Sequence, residues 1–175
     1  IIKHIKSSNC KAGIAIHPNI QVSDIVEFIE LIDLVVVMTV VPGFGGQKFM
    51  ESEITKITQL KKIKSNNCKA GIAIHPNIQV KDIIQYIEDI DLVIVMTVIP
   101  GFGGQEFMKS EVNKILELCE IKKEKKLNFE IEIDGGINDK TAKICKENGA
   151  DVLVAGSYIF SNNKDNYKTL IDSLR

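Results

Sequence analysis

The sequence lacks what would tie a chain to a disulfide framework, a membrane or a polyanion. Its four cysteines, Cys10, Cys68, Cys119 and Cys145, show no CxxC spacing, and two of them occupy the same position of an internal repeat. Such usage points to reduced, mostly buried thiols in a cytoplasmic protein rather than a metal knot. Excess charge of one sign is missing too: 22 Lys and Arg against 23 Asp and Glu leave a net charge of −1. Without a positive field, neither a nucleic acid nor an anionic membrane is expected as partner. The one dense charge run, Lys122–Lys126, reads as a solvated helix end or turn. Long apolar runs are absent: the longest, Leu92–Val98, is interrupted by Thr97 and is far short of the ~20 residues of a bilayer span. The chain begins with Ile1 and no signal-peptide pattern follows, so its native start is expected upstream.

What is present is the composition of a globular chain, 45% hydrophobic and 26% charged over 175 residues, matching one domain of roughly 100–200 residues. Shifting the sequence by 58 positions aligns Ile5–Ile57 with Ile63–Ile115, and 41 of the 53 pairs are identical. Most exchanges keep their character, as with Val26 and Ile84, Phe28 and Tyr86, Val36 and Ile94, or Val41 and Ile99. Two copies followed by an unrelated tail, residues 116–175, disfavour a solenoid, which needs about three or more repeats to bury its faces.

Within a copy the hydrophobic period switches. Cys68–Ile74 is a short apolar strand, and Val80, Ile83, Ile84, Ile87 and Ile90 form the stripe of a helix. Leu92–Val98 reads as a strand covered on both faces, and Val112, Ile115, Leu116 and Cys119 place a helix after the glycine-rich loop. In the tail, Phe129–Ile133 is a strand, Asn138 caps a helix ending before Gly149, Asp151–Ala155 is a strand, and Tyr167, Leu170, Ile171 and Leu174 mark a last helix. Six strands are predicted, near Ala12–Ile16, Leu34–Val40, Ala70–Ile74, Leu92–Val98, Phe129–Ile133 and Val152–Ala155. Strict alternation with helices makes this an α/β fold with parallel strands and right-handed crossovers. At about 31 residues per unit of a (β/α)8 TIM barrel, the length holds five to six units. The expectation is one partial-barrel domain over residues 1–175, with the tail as its last two units.

In such barrels the working residues follow the strands. PGFGGQ occurs at Pro42–Gln47 and Pro100–Gln105; Gly101, Gly103 and Gly104 can turn N–H groups toward an oxyanion, although a tight βα turn would use the same glycines. In IDGGI, Ile133–Ile137, alternation sets Glu130, Glu132 and Asp134 on one face and Ile131 and Ile133 on the other. An inward Asp134 followed by Gly135 and Gly136 costs stability unless it is paired or binds a metal; a turn aspartate accepting backbone N–H bonds is the plainer alternative. Glu132, a layer deeper, reads as a hydrogen-bonded interior carboxylate. In AGSYIF, Ala155–Phe160, Gly156 and Ser157 can open a short helix that receives a phosphate. DGG and AGS at consecutive strand ends imply a small phosphorylated substrate. His17 and His75, each in HPN, begin a turn more often than they bind a metal, and His4 sits on an exposed helix end. Met38 and Met96 fill a core or cover one wall of a pocket.

Val95–Met108, Glu132–Ile137 and Gly149–Phe160 together resemble the C-terminal half of the ribulose-phosphate 3-epimerase family, (β/α)8 barrels of the pentose phosphate pathway. The likeness runs from about Gln59 to Arg175, and residues 1–58 resemble a second copy of the family's fifth and sixth units. It implies an isomerase of carbohydrate metabolism that interconverts D-ribulose 5-phosphate and D-xylulose 5-phosphate by proton transfer at carbon 3. In that family two aspartates move the proton, and two histidines with both aspartates hold a divalent metal, usually Zn²⁺. By the resemblance, Asp134 is catalytic and a metal ligand; Gly101, Phe102, Gly103, Gly104, Gly135, Gly136, Gly156 and Ser157 bind substrate and phosphate; Met96 lines the pocket.

The family's early serine, its HxDxMDG segment and its HxM segment have no match here. With Asp134 as the one matching ligand, tight zinc binding is not expected, and the isolated chain is expected to show negligible turnover. The alternatives are a non-catalytic phosphosugar-binding or scaffold relic of the fold, and an epimerase of another ketose phosphate. The second copy is expected beside Phe129–Ile133, leaving Gly43–Gly46 farther from Asp134 than Gly101–Gly104. Sheet edges left open by missing strands favour self-association into a homo-oligomer.

Overall fold

A computed structural model of the chain describes residues 1–41, 48–63, 68–101 and 104–175. Six parallel strands, β1 (Gly13–Ile16), β2 (Leu34–Met38), β3 (Lys69–Ile74), β4 (Leu92–Met96), β5 (Glu130–Asp134) and β6 (Val152–Val154), lie side by side in chain order. They form a curled half-barrel of the α/β class, with β1 and β6 as open edges. The helices are α1 (Ile2–Ser7), α2 (Thr55–Ile63), α3 (Val112–Glu124), α4 (Asp139–Glu147), α5 (Ser157–Phe160) and α6 (Tyr167–Ser173). The second copy does lie beside the tail: Met96 of β4 is in register with Asp134 of β5. The companion expectation about Gly43–Gly46 falls outside the described residues.

Strand residues divide by parity between two cores. Val35, Val37, Ala70, Ile72, Val93, Val95, Ile131 and Ile133 face the helices in the larger one. A smaller cluster of Val36, Ala73, Leu92, Ile94 and Met96 fills the concave face. Glu132 and Asp134 share that concave side with Met96, so the alternation read from IDGGI holds.

An aspartate at the head of each following strand staples the sheet. Ala12 N–H donates to Asp33 Oδ2 at 2.7 Å, Ala70 N–H to Asp91 Oδ2 at 2.8 Å, and Ile131 N–H to Asp151 Oδ2 at 2.9 Å. Each aspartate returns its own N–H to the carbonyl of the same residue. A carboxylate thus closes the ladder where the strand pair begins, satisfying a backbone donor that would otherwise be lost to the core. Both copies also bury an ion pair: Lys56 reaches Glu53 at 2.5 Å and the Pro18 carbonyl at 2.8 Å, and Lys114 reaches Glu111 at 2.6 Å and the Pro76 carbonyl at 2.9 Å.

Several expectations are corrected. The helix anticipated from Val80 to Ile90 is two 3-10 segments, Val80–Asp82 and Ile84–Asp89. Ile84, Ile87 and Ile90 recur every three residues, which suits three residues per turn as well as it suits an α-helix. Strands β2 and β4 end at Met38 and Met96, two residues short of their apolar runs, because the threonine that follows diverts its polar groups to the neighbouring strand. The last helix buries no residue fully, and Cys10 is exposed whereas its counterpart Cys68 is buried. Lys122 and Lys125 at the end of α3 pair with Asp151 and Glu88 at the surface.

Candidate functional site

The site lies where β4, β5 and β6 end. β5 stops at Asp134 because the two residues after it are glycines with positive φ, +128° at Gly135 and +64° at Gly136. The conformation alone favours glycine, and so does the packing. A Cβ on Gly135 would meet Val98 Cγ2 at 2.6 Å, and one on Gly136 would meet the Phe107 nitrogen at 2.8 Å. The turn is thereby pressed against the segment that leaves β4. Asn138 then caps α4 as expected, accepting from the Lys140 and Thr141 N–H groups at 2.9 and 3.0 Å. Thr141 in turn donates its hydroxyl to the Gly136 carbonyl at 2.9 Å.

A cavity of about 120 Å³ opens at this point, and Gly104, Asp134, Gly135, Gly136, Gly156 and Ser157 all line it. Cβ atoms on Gly104 or Gly156 would meet nothing within 4 Å, so these two backbones border open space. Gly156 and Ser157 start α5, and the first N–H groups of a helix have no intrahelical acceptor. A wider cleft of about 440 Å³ continues outward past Gln105, Lys109, Asn138 and Tyr158.

Asp134 is half-buried on the concave face, and burial raises its carboxyl above the usual range. Glu132 is also raised, first by burial and then by the charges of Asp134 and Glu130. Among the described residues no group donates a hydrogen bond to either carboxylate. The expectation of a hydrogen-bonded Glu132 is therefore corrected: the sheet ends one strand beyond β5, and no strand faces it across the interior. The plainer reading of Asp134 as a turn carboxylate accepting N–H bonds fails for the same reason.

Other predicted residues lie elsewhere. Met96 packs in the concave cluster beside Asp134 and is not among the cavity's lining residues. Gly101, with φ +144°, is exposed and outside the cavity; Phe102 and Gly103, like Pro42–Gln47, lie outside the described residues. His17 and His75 each set Nδ1 at 2.6 Å from an asparagine Oδ1 two residues on, the geometry of a turn. His4 is exposed. Sequence reasoning missed Thr97, which is fully buried and donates its hydroxyl to the Gly135 carbonyl at 2.6 Å. The available signal was a hydroxyl inside an otherwise apolar strand.

The family model described as the Ribulose-phosphate 3 epimerase family matches residues 1–67 and again residues 58–160. Ribulose-phosphate 3-epimerase of Bacillus subtilis (strain 168) is 43% identical over 105 residues, covering 59% of this chain and 48% of that protein. The chloroplastic ribulose-5-phosphate-3-epimerase of Arabidopsis thaliana is 43% identical over 101 residues, 58% of this chain and 36% of its own. The chain thus spans about half the length, or less, of these relatives. Among solved structures, KGPDC from Streptococcus mutans superposes with a TM-score of 0.69 at 11% identity, over 99% of this chain and 76% of that one. The same protein in complex with ribose 5-phosphate gives 0.68 at 11% identity, over 99% and 77%. At such identity these two neighbours show the fold alone, whereas the family-model match extends over both copies and into the tail: the chain belongs to the ribulose-phosphate 3-epimerase family.

Proposed function

We propose that the site binds a ketopentose phosphate and carries half of the machinery that epimerises D-ribulose 5-phosphate and D-xylulose 5-phosphate at carbon 3. The observation that carries this reading is the shared cavity: one carboxylate, Asp134, and the glycine turns at 104, 135–136 and 156–157 border the same 120 Å³ space. The backbone at Gly104, Gly136, Gly156 and Ser157 supplies N–H donors to the phosphoryl group, with Gly101, Phe102 and Gly103 assigned to the same task by resemblance. A phosphorylated sugar in a neighbour of the same fold, ribose 5-phosphate in the Streptococcus mutans protein, supports that ligand class. The raised carboxyl of Asp134 suits proton exchange with carbon 3, because an acid nearer neutrality can both give and take the proton.

Inversion at carbon 3 needs an acid or base on each face of the planar intermediate. One carboxylate reaches one face, so this chain alone has negligible turnover. The family is metal-dependent, and Asp134 would be a ligand. Among the described residues, however, no group of three or more His, Cys, Asp or Glu side chains comes together. The residues present do not fit a zinc site of three or four protein ligands, and no step in this reading is routed through a metal. Residues 1–175 act as one partial-barrel domain, cytoplasmic in setting; among the described residues no helix is long and apolar enough to cross a membrane.

A second reading, a phosphosugar-binding relic without catalysis, is favoured by that imbalance between a nearly complete set of phosphate turns and a single carboxylate. Two measurements separate them. Turnover of D-ribulose 5-phosphate by the purified chain is expected to be negligible beside the Bacillus subtilis enzyme, and a comparable kcat would overturn the half-site reading. Titration with ribose 5-phosphate is expected to shift the amide resonances of Gly136, Gly156 and Ser157. An unchanged amide spectrum would dispose of both phosphosugar readings.

A further inference from the structure

We infer that Thr97 is the positioning residue of this site, the one that holds the Asp134–Gly136 turn in its binding geometry; the inference deepens the phosphosugar reading and rests on it. Thr97 is fully buried just after β4 and spends all three of its polar groups on two loops. Its N–H donates to the Asp134 carbonyl at 2.9 Å, and its hydroxyl donates to the Gly135 carbonyl at 2.6 Å, with the Asp134 carbonyl at 3.2 Å. Its own carbonyl accepts from Met108 N–H at 2.8 Å, which closes the loop that carries Gly101–Gln105. One side chain therefore ties the loop after β4 to the turn after β5, and both border the cavity.

The turn needs such a tie. Two successive glycines have the widest choice of backbone angles of any dipeptide, and neither has a side chain to anchor it. The Gly136 carbonyl is held by Thr141; the Gly135 carbonyl is held by Thr97. With the Thr97 hydroxyl removed, the Asp134 carboxylate and the adjoining N–H groups keep their identity and lose their fixed direction. Placement errors of about 1 Å are enough to cost a site much of its function.

The duplication provides an internal control. Thr39 stands 58 residues earlier, is equally buried, and its carbonyl accepts from Met50 N–H at 2.9 Å. Its hydroxyl donates to the Ala73 carbonyl at 2.8 Å, and there the neighbouring strand runs on to Ile74 with no glycine turn to hold. The same residue in the same local frame thus grips a regular strand in one copy and the candidate site in the other. A purely structural hydroxyl would matter equally at both places.

The test titrates ¹⁵N-labelled full chain with ribose 5-phosphate, comparing wild type with Thr97→Val, Thr97→Ser and Thr39→Val. Loss of one buried hydroxyl bond predicts a Kd at least about tenfold higher in T97V, within about threefold of wild type in T97S, and within about twofold in T39V. Affinity retained by T97V, or lost equally by T39V, would overturn the inference. If T97V does not fold, T97S decides: it keeps the hydroxyl, so a tenfold loss there would also overturn it. Should wild type bind no ribose 5-phosphate, the phosphosugar reading falls by itself, and amide hydrogen exchange in the ligand-free chain judges Thr97. Gly135 and Gly136 are then expected to exchange at least about tenfold faster in T97V and at the wild-type rate in T97S and T39V; unchanged exchange in T97V would overturn the positioning role.

Discussion

Residues 13–16 and 71–74 have the same sequence, Gly-Ile-Ala-Ile, and form parallel strands of the same sheet, yet their surroundings differ. In β1 Gly13 and Ala15 are exposed and Ile14 is half-buried; in β3 all four residues are buried. The contrast extends along the copies. Cys10 is exposed and Cys68 buried, and His17 is half-buried where His75 is buried. Phe28 and Leu31 are 40% and 44% exposed, whereas their counterparts Tyr86 and Asp89 are partly covered. What repeats faithfully is local: the Gln21–Asp24 and Gln79–Asp82 capping boxes, the two buried lysine–glutamate pairs, and the two aspartate staples. Short-range devices depend on residues a few positions apart and survive copying. Burial depends on which strands stand on either side, and β1 has a neighbour on one side only.

Four experiments would break or sharpen that contrast. The largest effect is expected where the copies agree. Lys114→Met and Lys56→Met each strand a buried glutamate and should cost about 3–5 kcal/mol of unfolding free energy, equally in both copies; denaturant titrations giving unequal losses would show that the pairs are not equivalent. Next, Ile72→Ala should cost about 2–5 kcal/mol, since Ile72 is fully buried. Ile14→Ala at the edge should cost about 1 kcal/mol. Equal losses would mean that β1 is covered in solution, as self-association through the open edge would do.

The third experiment concerns β5, which has no copy. In the row where β3 and β4 place Ala73 and Ile94, β5 places Glu132. Because burial and neighbouring negative charge raise this carboxyl, the folded chain holds the proton more tightly than the unfolded chain. Its contribution is therefore lost as pH rises from the ordinary carboxylate value of about 4.3 to the raised folded value. Glu132→Gln should raise the Tm at pH 7 and flatten the slope of Tm between pH 4 and 7, on the order of a few degrees; an unaltered slope would exclude Glu132 as its cause. The smallest effect leaves stability untouched. A thiol reagent should label Cys10 within minutes and Cys68 far more slowly, with Cys145 slow as well because burial pushes its thiol up to about 11. Cys10→Ser should abolish the fast phase in mass-spectrometric labelling.

The fold was largely legible. Every predicted strand is present, because parallel strands covered on both faces are continuous β-branched runs, and Leu92–Met96 and Leu34–Met38 are such runs. The cap at Asn138 was legible because a cap uses neighbours three residues away. The winding of Ile84–Asp89 was not, since a spacing of three serves both kinds of helix. At the site, Asp134 and the glycines that follow it were visible as a carboxylate and a turn at a strand end. Their companionship with Gly104, Gly156 and Ser157 rests on three strand ends meeting across gaps of about twenty to thirty residues, and Thr97 could be singled out only once its hydroxyl was seen against Gly135.

By itself the sequence determined the order of strands and helices, the parity that sends Ile131 and Ile133 outward and Asp134 inward, and the duplication. All of these follow from side-chain periodicity and from contacts within a few residues. Only the tertiary structure decided which copy is buried, which threonine holds the glycine turn, and that Glu132 and Asp134 have no donor facing them among the described residues. Those outcomes depend on what stands on the next strand or across the interior, and two identical segments set in different places in one sheet cannot share them.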